Sequence, residues 1–240
     1  MAKIALITVT HDPTGRNMKL FKQLQEEIEG IYSELFITIS DASCINLLEA
    51  MKQSKFKVKV IPKNGAAAAR REVLSFGLLG QSQYYHYCDF DRLLTWCKNH
   101  MNELKQVTSN PENYDYLILG RTERAMNTHP EEWIETEKIT NKICSLEFGM
   151  NVDITAGSCL FSKVSAEYIN KYSKEKMTDA EWPMIVHRIA KLDIGFYPVE
   201  GLEYHEETNG ITRSISEAEK WMGRLKLSSI ISETAITTGK

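Results

Sequence analysis

Residues 3–10 form an unbroken β-rich apolar run, Ile4, Ala5, Leu6, Ile7 and Val9, which predicts a buried parallel strand. A polar loop, Thr10-His11-Asp12-Pro13-Thr14-Gly15, follows at its carboxyl end. Between residues 18 and 29, Leu20, Phe21, Leu24 and Ile28 recur at helical spacing, and Gly30 closes that helix. The pattern then predicts a second strand over 31–40, a second helix over 45–53 and a third strand over 56–61. The order β-α-β-α-β predicts an α/β fold, a mostly parallel central sheet with helices on both faces. In such sheets ligands bind beyond the carboxyl ends of the strands. The loops at 10–12, 40–43 and 89–91 therefore belong on one edge.

After Asn64-Gly65, four alanines and Arg70 open a third helix, which Gly77 and Gly80 close. Side chains this small allow close approach, either of a packed neighbour or of a bound nucleotide. The aromatic run Tyr84-Tyr85-His86-Tyr87 reads as a strand entering the core, and it ends on Asp89 and Asp91. If the strand runs through Asp91, both carboxylates leave one face; if a turn starts there, they still converge on one cation. Two hard oxygen ligands suit Mn²⁺ or Mg²⁺, which fill their other positions with water and phosphate oxygens. Alone, the pair also reads as two solvated acids at a strand end. His86, inside the aromatic strand, reads as a core histidine, and His100 and His187 as structural.

The chain has 240 residues, 42% apolar and 25% charged, with a formal net charge of −3. That length supports one large α/β domain. The charge gives no nucleic-acid footprint. No apolar run reaches membrane-spanning length, and the segment before the first strand is too short for a signal peptide. The five cysteines, Cys44, Cys88, Cys97, Cys144 and Cys159, are odd in number with no C-x-x-C pair, which predicts reduced thiols and a cytoplasmic protein. Homo-oligomer formation is left open.

The ordered set Ser40-Asp41-Ala42-Ser43, Asn64-Gly65, the alanine-rich helix with Ala69-Arg70, and Asp89-Phe90-Asp91 resembles the family 2 glycosyltransferases of the GT-A fold. The match covers residues 3–94 in order and spacing. It implies a single Rossmann-like GT-A domain over 1–213, with a nucleotide-binding half over 1–94 and an acceptor half over 95–213. It also implies transfer of a sugar from a nucleoside-diphosphate sugar to an acceptor hydroxyl of a glycan, lipid or small molecule. By this resemblance Asp41 contacts the base or ribose, Asn64, Gly65 and Arg70 lie under the nucleotide, and Asp89 and Asp91 bind Mn²⁺ or Mg²⁺ with the donor. The usual Pro and Asn opening is replaced by Thr10-His11-Asp12-Pro13, so donor contacts on that side fall to Thr10 and His11. The Q-x-x-R-W signature of processive synthases is missing, which implies single addition.

More weakly, Ile154-Thr155-Ala156-Gly157-Ser158 resembles the strand lining the donor sugar, and Thr178-Asp179-Ala180-Glu181-Trp182-Pro183 the acidic motif before the last long helix. Thr178 to Glu181 also matches a capping box, but Pro183 fits the first helical position better and leaves both acids in the preceding loop. By resemblance to inverting enzymes Glu181 is favoured over Asp179 as the general base. His205, near the end of the closing strand, is either a further metal ligand or a hydrogen-bonded histidine. A catalytically silent nucleotide- or glycan-binding protein is the competing reading. A haloacid-dehalogenase-type phosphatase would carry its D-x-D after the first strand, and a nucleotidyltransferase would carry a glycine-rich Arg loop there.

Residues 120–146 have no counterpart in the family and are assigned to acceptor recognition. The strand before them is expected next to the Asp89 strand, so Arg121 and Thr122 would emerge near the phosphates. Pro130 opens a helix in which Trp133, Thr136, Glu137, Thr140 and Asn141 share one face. One aromatic with four polar groups is not a core face, and Trp133 with Glu137 suits a sugar. From 214 the chain is expected to form a helix over 217–227 and then a mobile Ser/Thr-rich tail to 240.

Overall fold

The computed structural model describes residues 3–210 and 216–240. In β1 (Ile4–Thr10), period-two alternation sends Ile4 and Leu6 into one core and Ala5 and Ile7 into another. A strand buried on both faces needs layers on each side. The chain supplies them through α1 (Met18–Ile31), β2 (Glu34–Ser40), α2 (Ile45–Lys52), β3 (Lys57–Ile61), α3 (Ala66–Gly77), β4 (Tyr84–Cys88) and α4 (Phe90–Ser109). It continues with β5 (Tyr116–Arg121), α5 (Glu123–Met126), α6 (Glu131–Phe148), β6 (Ser158–Ser162), α7 (Lys163–Tyr172) and α8 (Thr178–Met184). A π-helical turn (Ile185–Ala190), β7 (Ile194–Val199), α9 (Glu206–Asn209) and α10 (Glu217–Thr237) complete it.

The seven strands lie in the order β3-β2-β1-β4-β6-β5-β7. All neighbours are parallel except β6, which runs antiparallel to both β4 and β5. The expected α/β sheet is therefore present, with one correction: β6 separates β5 from β4. The order reverses between β1 and β4, and this switch point opens a crevice at the carboxyl ends of these strands. One core packs Phe21, Leu47, Phe90 and Trp96 against the sheet; the other packs Val73, Tyr85, Phe161 and Trp182. His86 is fully buried between Tyr32 and Ser158, as a core histidine should be.

Several boundaries differ from the sequence pattern. Helix α1 runs past Gly30 to Ile31, and β2 begins only at Glu34. Pro183 does not open a helix. Helix α8 starts at Thr178 and carries Pro183 inside, so Asp179 and Glu181 sit in its first turn rather than in a loop. The ladder bond that Pro183 cannot donate is followed at once by the π-helical turn, where the hydrogen-bond spacing changes. The mobile tail expected from residue 228 is the second half of α10, with Ser228, Ile231, Ser232, Thr234 and Ala235 buried. A capping box of Ser216 and Glu219 starts that helix. The expected boundary at 213/214 lies outside the described residues. None of the described helices is long and apolar enough to cross a membrane, and all five cysteines are unbridged.

Candidate functional site

Strand β4 stops at Cys88, Asp89 adopts an extended cap conformation, and Phe90 begins α4. The strand does not continue through Asp91; the chain turns straight into a helix whose first turn carries Asp91. Asp89 emerges on the face that Tyr85 and Tyr87 share, beside α3 and α8. There the Arg70 guanidinium bridges two acids: Nη2 donates to Asp89 Oδ2 at 2.9 Å and Nη1 to Asp179 Oδ2 at 2.8 Å. Nη1 also reaches Thr178 Oγ1 at 3.0 Å, while Nε is buried with no partner. Burial opposes the Arg70 charge, but Asp179 and then Asp89 outweigh it and hold its pKa well above the ordinary value. The Tyr87 hydroxyl donates to the other Asp89 oxygen.

Two cavities meet at Asp89 and Asp91. The larger, about 700 Å³, lies over the ends of β1, β2 and β3 and the start of α3. Of the expected donor residues, Thr10, His11, Asn64, Gly65, Arg70 and Asp89 line it, together with Asp91. Asp41 does not. Strand β2 ends at Ser40, which faces the cavity, and Asp41 turns outward, exposed, with its N–H bound to Ile61 O at 2.8 Å. Asp12 is a structural residue: its buried carboxylate accepts from Arg16 N and Asn17 N and shapes the entry to α1.

The smaller cavity, about 210 Å³, lies between α4, α6 and α10 and is lined by Asp89, Asp91, Asp179 and Arg70 on one side. Trp133, Thr136, Glu137 and Thr140 of α6 form another wall, so the polar face picked out by helical spacing does look onto the D-x-D acids. Asn141 is turned to Asp153 and the Ile154 backbone instead. Arg92, Arg224 and Ser228 also line it. The sequence pattern missed these. Arg92 directly follows the D-x-D, but Arg224 and Ser228 belong to a helix that nothing local connects to the site.

Besides Asp41, four expected site residues are placed elsewhere. Arg121 is buried in an ion-pair cluster with Asp153 and Glu137, at 2.7 and 2.6 Å, and does not reach the cavity. The intervening β6 keeps β5 from delivering it to the acids. Thr122 caps α5, accepting from Ala125 N. His205 bonds Glu203 and Asn99 through Nε2 and lines neither cavity. Asn209 stands beside Asp91 in its place, donating to Asp91 Oδ2 at 2.9 Å. Glu181 is buried, and its carboxylate accepts from Ser173 Oγ, Lys174 N and Glu175 N. It ties the 173–175 loop to α8, leaving Asp179 as the acid of that motif that lines the smaller cavity.

The donor set fits a divalent cation held by few protein ligands. Burial first, and the neighbouring Asp89 charge, push the Asp91 carboxyl above its ordinary pKa despite Arg92 and Asn209. A cation between the two acids relieves that repulsion. Among the described residues no group of three or more His, Cys, Asp or Glu side chains is placed to hold a metal. Most of the coordination must then come from water and phosphate oxygens, as Mn²⁺ and Mg²⁺ accept. Gly157 (φ +74°) lies against this site: a Cβ there would meet Asp89 Oδ2 at 2.7 Å.

No protein-family model and no curated protein sequence matches the chain. Its fold does match solved structures. Glucosyl-3-phosphoglycerate synthase from Mycobacterium tuberculosis with UDP aligns at TM-score 0.60 and 12% identity, over 98% of this chain and 79% of that one. The same enzyme with Mn²⁺, UDP-glucose and phosphoglyceric acid gives the same values. Its complex with Mn²⁺, UDP-glucose and glycerol 3-phosphate aligns at TM-score 0.57 and 12% identity, over 98% and 78%. The chain has the GT-A fold of these nucleotide-sugar glycosyltransferases.

Proposed function

We propose that the protein transfers a sugar from a nucleoside-diphosphate sugar to an acceptor hydroxyl, with Mn²⁺ or Mg²⁺ at Asp89 and Asp91. The observation that carries this reading is the placement of the two acids where the two cavities meet. The larger cavity takes the nucleoside and the smaller the acceptor, so the anomeric carbon sits between them. The similar enzymes solved with Mn²⁺, UDP-glucose and a small acceptor support a site that takes metal, donor and acceptor together. The bound cation neutralises the departing diphosphate. Thr10, His11, Asn64 and Gly65 line the place of the nucleoside. Arg70 positions Asp89 and Asp179 against each other. Asp179 is the carboxylate we assign as general base to the acceptor hydroxyl, which makes the transfer inverting. Trp133 and Glu137 line the acceptor side, and the missing Q-x-x-R-W signature supports single addition. Five unbridged thiols support a cytoplasmic setting.

One observation favours the competing reading of a silent binding protein. Both Asp89 oxygens are already engaged, one by Arg70 and one by Tyr87. Calorimetry with UDP, with and without Mn²⁺, and a UDP-glucose hydrolysis assay separate the two. We expect Mn²⁺-dependent UDP binding that Asp91→Asn abolishes and Asp89→Asn weakens, and release of UDP from UDP-glucose. Binding that ignores Mn²⁺ in wild type and both variants, without turnover, would refute the enzyme.

A further inference from the structure

We infer that the smaller cavity receives an anionic group of the acceptor, a phosphate or a carboxylate, on Arg92 and Arg224; naming the ligand an acceptor rests on the glycosyltransferase reading. Arg92 lines the cavity and is only 8% exposed. A guanidinium carries five N–H donors, yet the one hydrogen bond the Arg92 guanidinium makes among the described residues goes to His129 Nε2 at 3.0 Å. His129 brings no charge to the pair. Its Nδ1 faces Ala125 O at 3.0 Å, which makes Nε2 the acceptor. Burial, then Arg92 and Arg121, push its pKa down to about 2. The Arg92 guanidinium also lies 5.7 Å from the Trp133 ring centre and 5.9 Å from that of Tyr204, and its charge acts on Asp91, the acid assigned to the cation.

Arg224 reaches the same cavity from α10. Its guanidinium stacks 3.9 Å from the Trp133 ring centre and pairs with Glu137, while its Nε is buried without a partner. Charged donors buried without acceptors are rare and costly. The charges around the cavity do not balance either. Arg92, Arg121 and Arg224 face Glu137 and Asp153, and both acids are ion-paired to Arg121. Glu132, the next acid on α6, forms no ion pair with any of the three among the described residues. Asp91 serves the cation. One positive charge is left over, on a wall shared with an indole.

The donor diphosphate does not meet this need, because its place is with the cation and the start of α3. An anion held by two guanidiniums in a space of about 210 Å³ is that of a small molecule. Its hydroxyl would then be held toward Asp179, which lines the same cavity.

The test uses the full chain with Mn²⁺ and UDP at saturating concentration and three probes on one skeleton: glycerol 3-phosphate, glycerate and glycerol. Binding is followed by calorimetry and by tryptophan fluorescence, since Trp133 touches Arg224. We expect saturable binding of glycerol 3-phosphate or glycerate, with glycerol silent, and the preferred probe reports whether phosphate or carboxylate is read. Arg92→Met and Arg224→Met should each weaken that binding at least about tenfold, the scale of a lost charge-assisted hydrogen-bond pair. Mn²⁺–UDP affinity should stay within about twofold of wild type in both variants. If Arg92→Met does not fold, Arg224→Met, on a side chain 18% exposed, carries the test. Glycerol binding as tightly as its charged analogues, no binding of any probe, or unchanged anion affinity in the folded variants would overturn the inference. Arginine-dependent anion binding in a protein that ignores Mn²⁺ and UDP would instead overturn the glycosyltransferase reading and leave the anion site standing.

Discussion

Gly157→Ala isolates the contact between the loop before β6 and the D-x-D acids. The backbone at Gly157 has φ +74°, where an L-residue pays about 1 kcal/mol. The new Cβ would lie 2.7 Å from Asp89 Oδ2 and 4.0 Å from Arg70 Nη2. Ordinary contact begins near 3.4 Å, so the carboxylate must withdraw by about 0.7 Å (3.4 less 2.7), away from its 2.9 Å bond to Arg70. Strain and displacement together should cost about 2 kcal/mol, or roughly 4–8 °C in Tm for a chain of this size. A metal ligand moved by that much should lose Mn²⁺-dependent UDP affinity by about tenfold or more. Gly149→Ala is the control, because Gly149 has φ +70° and nothing within 4 Å of its Cβ position. It should lose about 1 kcal/mol of stability and none of the affinity. Differential scanning fluorimetry and calorimetry on both variants read the two effects. Equal Mn²⁺–UDP affinity in Gly157→Ala and Gly149→Ala, with both proteins destabilised, would refute the placement of Asp89 at the cation.

Asp179→Asn should lower turnover by about 10²-fold or more with UDP affinity retained. Glu181→Gln should cost about 1–3 kcal/mol of stability with turnover kept within a few-fold, because its carboxylate binds only the 173–175 loop; a stable but inactive Glu181→Gln would return the base to that residue. Trp133→Ala should raise the acceptor KM while UDP affinity stays within about twofold, and an equal loss of UDP affinity would place the ring under the nucleotide. Two buried histidines set an acid limit on stability. Burial pushes His86 down to about 3, and burial with Arg92 and Arg121 pushes His129 down to about 2. The unfolded chain takes up a proton on each near pH 6.5, so their stabilising effect is whole above that value and declines as pH falls toward 3. Each should account for about 2 kcal/mol lost between pH 7 and 5, read by urea unfolding. An unfolding free energy independent of pH over that range would show that both histidines take up protons in the fold as they do in the unfolded chain.

Much of this protein is legible along the chain because the relevant forces are local and periodic. Alternation in β1 and helical spacing in α1 report which faces are buried, and β-α-β order leaves few topologies. The same logic puts Thr10, Asn64 and Asp89 on one edge of a parallel sheet and Trp133, Thr136, Glu137 and Thr140 on one face of α6. Periodicity states which residues share a face, but not what stands opposite. Glu181 and Asp179 are two residues apart in one helix; only the loop folded over Glu181 and the Arg70 guanidinium aimed at Asp179 separate their roles. His205 and Asn209 lie within one short turn, and the packing of α9 against α4 brings the amide to Asp91 and leaves the imidazole with Glu203. Arg121 reads as a site residue only if β5 lies beside β4, whereas an antiparallel strand from about 40 residues later in the chain fills that position. Arg224 and Ser228 reach the cavity across more than 130 residues of sequence from the D-x-D. Which charges meet in a buried space depends on contacts between distant segments, and a local pattern of apolar and polar residues does not encode them.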